Sequence, residues 1–393
     1  MNILFITSDF YPNSTGFANA SINLINAIIK YSSGKYIIHV FTEQQLKGKE
    51  ELPEIYVIRY KYNGKKNKLN RLYRERKKYL FIKDYVKNNN IDIIFFETNT
   101  FPFVQNWIVK EFPYKVFVRI HSTADTEVPI YGEHPTFGSK ISLKKMKEFM
   151  KYAPNIVSTS NYYLDFIKKE YFESNVYTIW NNKSYGLLYN TSVDGIKKAK
   201  PSCSNTFMTM GKMSHNGVIQ KGIKDLLNAV FYLKIDGYLD DTFKLIIVGD
   251  GEKYYSIQSM VNRLNLEKYV LLIKSASHDE VFELISQSKA IILLSRYEGQ
   301  SMFITETLSL GKPVILSDNN GMEDMIVPGK NGLLTRTGDA RMAADSIRKI
   351  MSLTLDEVEE MGNCSRQLYQ TKFSPRAVYD QFDRLMTLRE EGQ

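Results

Sequence analysis

The chain has 393 residues, 43% of them hydrophobic and 24% charged, with 22 Gly and 11 Pro, a composition that excludes disordered and collagen-like classes. Its length exceeds what one hydrophobic core fills, so two domains are expected. The formal charge of +9 is uneven: residues 1–200 carry 30 Lys and Arg against 18 Asp and Glu, whereas residues 201–393 carry 22 against 25.

In chain order, short apolar runs alternate with longer amphipathic stretches, the pattern of βαβ units in parallel sheets covered on both faces. Strands are expected at residues 2–8, 36–42, 55–60, 91–97, 115–120, 155–160 and 175–180. The clearest helix lies between the first two, where Ile22, Ile25, Ile28 and Ile29 share one face of residues 17–30. The stretch 181–205, rich in Asn, Ser, Lys and Gly, reads as a hinge. A second strand series follows at 206–211, 243–249, 270–274, 290–295 and 313–317, and the chain ends in helices at 339–351, 356–371 and 375–390. The expected division is 1–195, 196–375 and a last helix at 376–393 that can return towards the first domain. Two doubly wound parallel sheets in tandem place a ligand crevice at the carboxyl ends of their strands.

Cys203 and Cys364 fit neither a disulfide framework nor a metal-ligand spacing, which suits a reducing cytoplasm. The first residues run straight into Asp9 without a basic leader and read as a buried strand, not as a signal peptide. No apolar run approaches the length of a transmembrane helix. Any membrane contact is therefore expected to be peripheral.

The stretch RYEGQSMFITETLSLGKPVILS, residues 296–317, carries the most chemistry. A buried strand ends at Ser295, the chain turns through Glu298-Gly299-Gln300-Ser301, and a short helix begins with Ser301 as its N-cap. Backbone N–H groups at such a helix start suit a phosphate, and Glu298 and Glu306 can present carboxylates to sugar hydroxyls at the same mouth.

The spacing from Glu298 to Glu306, followed by Leu308, Gly311, Pro313 and Val314-Ile315, resembles the signature of retaining family-4 glycosyltransferases, whose GT-B fold comprises two Rossmann-like domains facing a cleft. The similarity continues through FKLIIVGDGE (243–252) and GMEDMIVPGKNGLLTRTGDARMAADSI (321–347). It implies that Glu298 meets the donor sugar near the reacting carbon, that Glu306 binds the nucleotide ribose, and that the backbone of Gly299, Gln300, Ser301 and Met302 holds the diphosphate and the far edge of the sugar. Lys212 stands where the family has an arginine and Lys221-Gly222 where it has a Lys-Gly pair, both basic groups directed at the diphosphate. Lysine at 212 turns a bidentate fork into a point charge. Lys274 occupies the place of a glycine near the nucleobase, leaving backbone groups of Ser275, Ala276 and Ser277 to meet the base edge.

In the first half the resemblance implies a phosphate-facing loop at Gly16 and a His at the end of a strand, His121, that supports the transferring sugar. Asp125-Thr126-Glu127 is the nearest approach to an acidic metal motif, and neither a catalytic metal nor a cofactor is expected. The donor would be a nucleotide sugar.

Residues 59–87 hold twelve Lys and Arg with interleaved aromatics, and 140–151 hold five more lysines. The patch of Lys65, Lys66, Lys68, Arg71, Arg74, Lys77, Lys78, Lys144 and Lys145 suits an anionic membrane surface or a lipid-linked or glycan acceptor. No nucleic-acid-binding motif accompanies it. A sugar-nucleotide epimerase and a non-catalytic partner of the same fold remain open as alternatives at this stage.

Overall fold

A computed structural model describes residues 1–12, 15–43, 45, 52, 54–62, 70–97, 101–121, 137–169, 184–202, 204–318 and 321–391. These residues form two compact units, dividing between Thr191 and Ser192 and again between Ser374 and Pro375, so that the last helix belongs to the first unit.

In the first unit the described elements are β1 (Asn2–Ile6), α1 (Gly16–Tyr31), β2 (Ile37–Thr42), β3 (Ile55–Arg59), α2 (Arg71–Asn88), β4 (Ile93–Glu97), α3 (Pro102–Glu111), β5 (Val116–Ile120), α4 (Phe137–Tyr152), β6 (Asn155–Ser158), α5 (Asn161–Lys168) and β7 (Ser184–Leu187). The sheet is parallel throughout, in the order β3-β2-β1-β4-β5-β6-β7. Its central strands are buried on both faces, which is why IIFFE and VFVRI read as unbroken runs, not as alternations. The expected strand at 175–180 lies outside the described residues.

A strand occurs instead inside the stretch read as a hinge. Ser184–Leu187 pairs with β6 at the sheet edge, and its polar, Gly-containing sequence concealed it. A Cβ at Gly186 would come 2.4 Å from the end of the Leu385 side chain on the terminal helix, which packs over this strand.

The second unit contains β8 (Thr206–Met210), α6 (His215–Gln220), α7 (Ile223–Ile235), β9 (Lys244–Val248), α8 (Tyr254–Arg263), β10 (Val270–Ile273), α9 (His278–Gln287), β11 (Ala290–Leu293), α10 (Met302–Ser309), β12 (Val314–Ser317), β13 (Gly332–Thr335), α11 (Ala340–Met351) and α12 (Leu355–Leu368). Its strands are also all parallel, in the order β10-β9-β8-β11-β12-β13. β13 is not among the expected strands: its sequence GLLT opens on Gly332 and closes on Thr335, leaving only Leu333 and Leu334 as an apolar run.

Helix starts follow from side chains that satisfy orphan N–H groups: Ser301 accepts from Ile304 N, and Ser277 with Glu280 and Thr354 with Glu357 form capping boxes. In both sheets the strand order reverses direction beside the first strand, between β1 and β4 and between β8 and β11. In parallel α/β sheets such a reversal is where the loops at the carboxyl ends of the strands diverge and ligands bind.

The last helix, α13 (Pro375–Glu391), packs on the first unit. Phe382 is fully buried between Phe5, Tyr36 and Phe95, with ring centroids 6.4, 5.4 and 6.1 Å away. Asp383 accepts hydrogen bonds from Lys35 Nζ at 2.7 Å and Tyr36 OH at 2.6 Å. Phe382→Ala is therefore expected to destabilise the first unit by about 3–5 kcal/mol, read as a lowered midpoint in urea unfolding.

Candidate active site

At the reversal point of the second sheet, Gly222 holds a left-handed backbone (φ 62°), and a Cβ there would come 2.2 Å from the carbonyl oxygen of Leu294. Glycine thus lets the start of α7 press against the end of β11, and a backbone bond from Arg296 N to Gln220 O at 2.7 Å fixes the contact. The consequence is chemical. Lys221 Nζ forms an ion pair with Glu298, whose carboxylate also accepts from Ser295 Oγ at 3.4 Å. Both side chains keep a little solvent access, at 18% and 14% exposure, enough for a ligand to reach them.

Glu298 begins the turn into α10, and its carbonyl accepts from Gly321 N at 2.8 Å. Gln300 is buried and donates to Thr305 Oγ1 at 3.2 Å, while Thr305 Oγ1 donates to Ser301 O at 3.0 Å. The turn 298–301 is thereby held rigid against its own helix. Glu306 is almost fully buried one turn further on, and its carboxylate meets His278 Nε2 at 3.1 Å. That hydrogen bond raises the His278 pKa above its ordinary value, against the opposing effect of burial.

The remaining expected donor residues fare differently. Lys212 is exposed in the loop after β8, and its side chain engages no described residue. Ser277 is not open to a base edge: its N–H donates to Glu280 Oε2 at 2.7 Å, and its hydroxyl serves the same capping box. Of the three residues, Ser275 and Ala276 keep that candidacy. Lys274 donates to Tyr255 OH at 3.0 Å and lies over the Tyr254 and Tyr255 rings.

In the first unit, Thr15 caps α1 by accepting from Ala18 N at 3.1 Å and also hydrogen-bonds Asp9. Gly16, the first residue of α1, is exposed, and the space beyond its Cα is open. The next residue, Phe17, sets its ring edge-on to His121 at 4.9 Å. Sequence reasoning missed what lies behind His121. Glu97, the last residue of β4, bonds His121 Nε2 at 2.9 Å through one oxygen and Arg119 of β5 at 3.2 Å through the other. Glu97 and Arg119 are fully buried.

Burial favours the neutral acid at Glu97, but the Arg119 guanidinium and the His121 hydrogen bond outweigh it and hold the carboxyl below its usual range. His121 is shifted down by burial, with the positive Arg119 adding to the effect. The signal in the sequence was a Glu closing one apolar strand and an Arg inside the next, both where a central strand has no solvent to offer.

The expected basic patch is only partly a surface. Lys65, Lys66 and Lys68 lie outside the described residues, as does Asp125-Thr126-Glu127. Arg71, Lys77 and Lys144 are exposed, Arg74 is half-buried, and Lys145 pairs with Glu148 at 2.7 Å. Lys78 does not belong to the patch: its side chain is 4% exposed, pairs with Glu43 at 3.0 Å and Glu75 at 3.3 Å, and sits 4.0 Å above the Phe101 ring. It falls on the inward face of α2 beside Tyr79 and Ile82. Among the described residues no cluster of three metal-ligating side chains occurs, and no helix is long and apolar enough to cross a membrane.

Residues 197–368 match the family described as glycosyl transferases group 1. A curated relative, the lipopolysaccharide 1,6-galactosyltransferase of Escherichia coli, is 29% identical over 177 residues, 44% of this chain and 46% of that protein. The chain thus spans less than half the length of the curated relatives it matches first. Solved structures align over the whole chain. A sucrose-phosphate synthase from Thermosynechococcus elongatus superposes with a TM-score of 0.77 at 16% identity, covering 100% of both chains. The Anabaena protein HepE in complex with UDP-glucose gives 0.71 at 17% identity, covering 99% of this chain and 100% of that one. The two parallel Rossmann-like sheets are those of the GT-B fold, and the match to the glycosyl transferases group 1 falls on the second of them.

Proposed function

We propose that this protein is a retaining glycosyltransferase that moves a hexose or N-acetylhexosamine from a UDP-sugar to a hydroxyl of a lipid-linked or surface-glycan acceptor. The observation that carries the reading is the Lys221–Glu298 pair beside the rigid turn 298–301, with Glu306 buried one turn away. A cation, a row of helix-start N–H groups and two carboxylates within one loop system match the three parts of a nucleotide sugar: diphosphate, sugar hydroxyls and ribose. In support, one of the structural neighbours was solved with UDP-glucose, and a curated relative is a lipopolysaccharide galactosyltransferase.

In this reading the donor is held by residues 196–375 and the acceptor by residues 1–195, with residues 376–393 serving the first domain. On donor binding, Lys221 exchanges Glu298 for a phosphate oxygen, and Glu298 turns to the sugar hydroxyls. The bond from the sugar's anomeric carbon to the diphosphate breaks, and a bond from the acceptor oxygen forms on the same face. The acceptor's proton passes to the departing phosphate oxygen. Lys212, Lys221 and the backbone amides at Gln300 to Met302 take up the charge released, and such preorganised donors are the main source of stabilisation in a loose, charge-separating transition state. His121 and Gly16 face the transferring sugar, and Ser275 and Ala276 face the base. The protein works in the cytoplasm, peripheral to the membrane, with the exposed cations Arg71, Lys77 and Lys144 towards anionic lipid.

Incubation with a panel of nucleotide sugars and lipid extract is expected to release nucleotide from one UDP-sugar. Lys221→Ala should lower kcat/KM by about 10² to 10³-fold with unchanged circular dichroism. Activity that survives Lys221→Ala combined with Glu306→Ala overturns the site assignment. Excess EDTA is expected to leave the rate unchanged, because lysines and backbone amides carry the diphosphate; a loss restored by added divalent cation would overturn that part. Flotation with phosphatidylserine vesicles should retain the protein at low salt and release it near 0.5 M NaCl, where the Debye length is only about 4 Å. Absence of binding at low salt removes the membrane from the proposal.

A further inference from the structure

The buried charge cluster behind His121 fixes more than the position of the ring. Glu97 is fully buried and shares its carboxylate between two donors: Arg119 NH1 at 3.2 Å from Oε1 and His121 Nε2 at 2.9 Å from Oε2. Arg119 places four of its five N–H groups on acceptors, one of them Glu97. Its Nε donates to Leu188 O at 3.2 Å, and its second terminal nitrogen donates to Tyr189 O at 3.0 Å and to Asn190 Oδ1 at 2.5 Å. A guanidinium has no acceptor atom, so it requires acceptors on every side, and it keeps Glu97 ionised and acceptor-only. An ionised carboxylate facing an imidazole nitrogen at this distance demands that the nitrogen carry the proton.

We infer that Glu97 is a positioning residue that locks His121 in the tautomer protonated on Nε2, so that Nδ1 presents a lone pair and accepts a hydrogen bond from a hydroxyl of the transferring sugar. The second half of this inference rests on the glycosyltransferase reading; the first does not. Nδ1 meets no partner among the described residues, and the Phe17 ring packs against the imidazole at a centroid distance of 4.9 Å and an interplanar angle of 64°. A ring pinned on one nitrogen and packed against Phe17 can offer only the other nitrogen, and here only as an acceptor. His121 therefore selects for a hydroxyl at the position it meets, since a group that cannot donate leaves the lone pair unsatisfied.

Glu97→Gln tests this because Arg119 decides which way the amide lies. The carbonyl oxygen must face Arg119, which only donates, and the NH₂ group must then face His121 Nε2. That nitrogen is forced to become the acceptor, and the proton moves to Nδ1, where it can no longer take a hydroxyl's hydrogen bond. In protein labelled with ¹⁵N-histidine, with His121 assigned by its loss in His121→Gln, the wild-type ring is expected to show protonated Nε2 and bare Nδ1, and Glu97→Gln the reverse. With the UDP-sugar the wild type uses, Glu97→Gln is expected to lower kcat by at least about 10-fold while KM for the donor stays within about twofold. A wild-type proton on Nδ1, or a Glu97→Gln spectrum with the wild-type pattern, overturns the inference. Should the variant not fold, the wild-type spectrum decides alone. If the wild type transfers no sugar but the tautomers behave as expected, the functional reading fails and the positioning role of Glu97 stands.

Discussion

A parallel strand covered on both faces has no solvent to offer a charge, and this constraint shapes both units. Uncharged runs such as IIFF and AIIL fill the sheet interiors, so polar chemistry collects where strands end. Where a charge does enter, it comes with its partners. Arg119 sits within β5 and Glu97 closes β4, and each is acceptable only because the other, His121 and the carbonyls of 188–189 satisfy it. Removing one member of such a cluster strands the rest in a low-dielectric site, which is why buried ion pairs are costlier to break than to lack.

The two units answer the constraint in different ways. In the first, the charges are sealed and serve to hold one partly exposed ring. In the second, Lys221 and Glu298 stay near the surface, where solvent can replace either partner when a ligand arrives. A sealed network gives fixed geometry, and an accessible pair gives exchangeable charge.

Much of this was legible in the residues. The strand runs, the Ser301 cap, the spacing of Glu298 and Glu306, and the Lys221-Gly222 pair all appear as local patterns, because each depends on neighbours close in sequence. What was misread depended on distant partners. The strand at 184–187 is polar and contains Gly186, and it exists because β6 pairs with it and Leu385 packs over the glycine. Lys78 sits in a run of cations that reads as a solvated face, yet helical spacing turns it inward onto Phe101 and Glu43. His278 opens α9, and only the approach of α10 brings Glu306 to its ring, a meeting that no local pattern shows.

The sequence alone determined the two-sheet architecture, the polarity of charge between the halves and the loop that carries the paired glutamates, since periodicity and turn chemistry act over a few residues. The tertiary structure decided which of those groups meet. Glu97 and Arg119, 22 residues apart on adjacent strands, converge on His121, and Lys221 and Glu298, 77 apart, join at one loop system. Strand order, not spacing, sets those distances, and the crossover that makes two strands neighbours leaves no mark on either one.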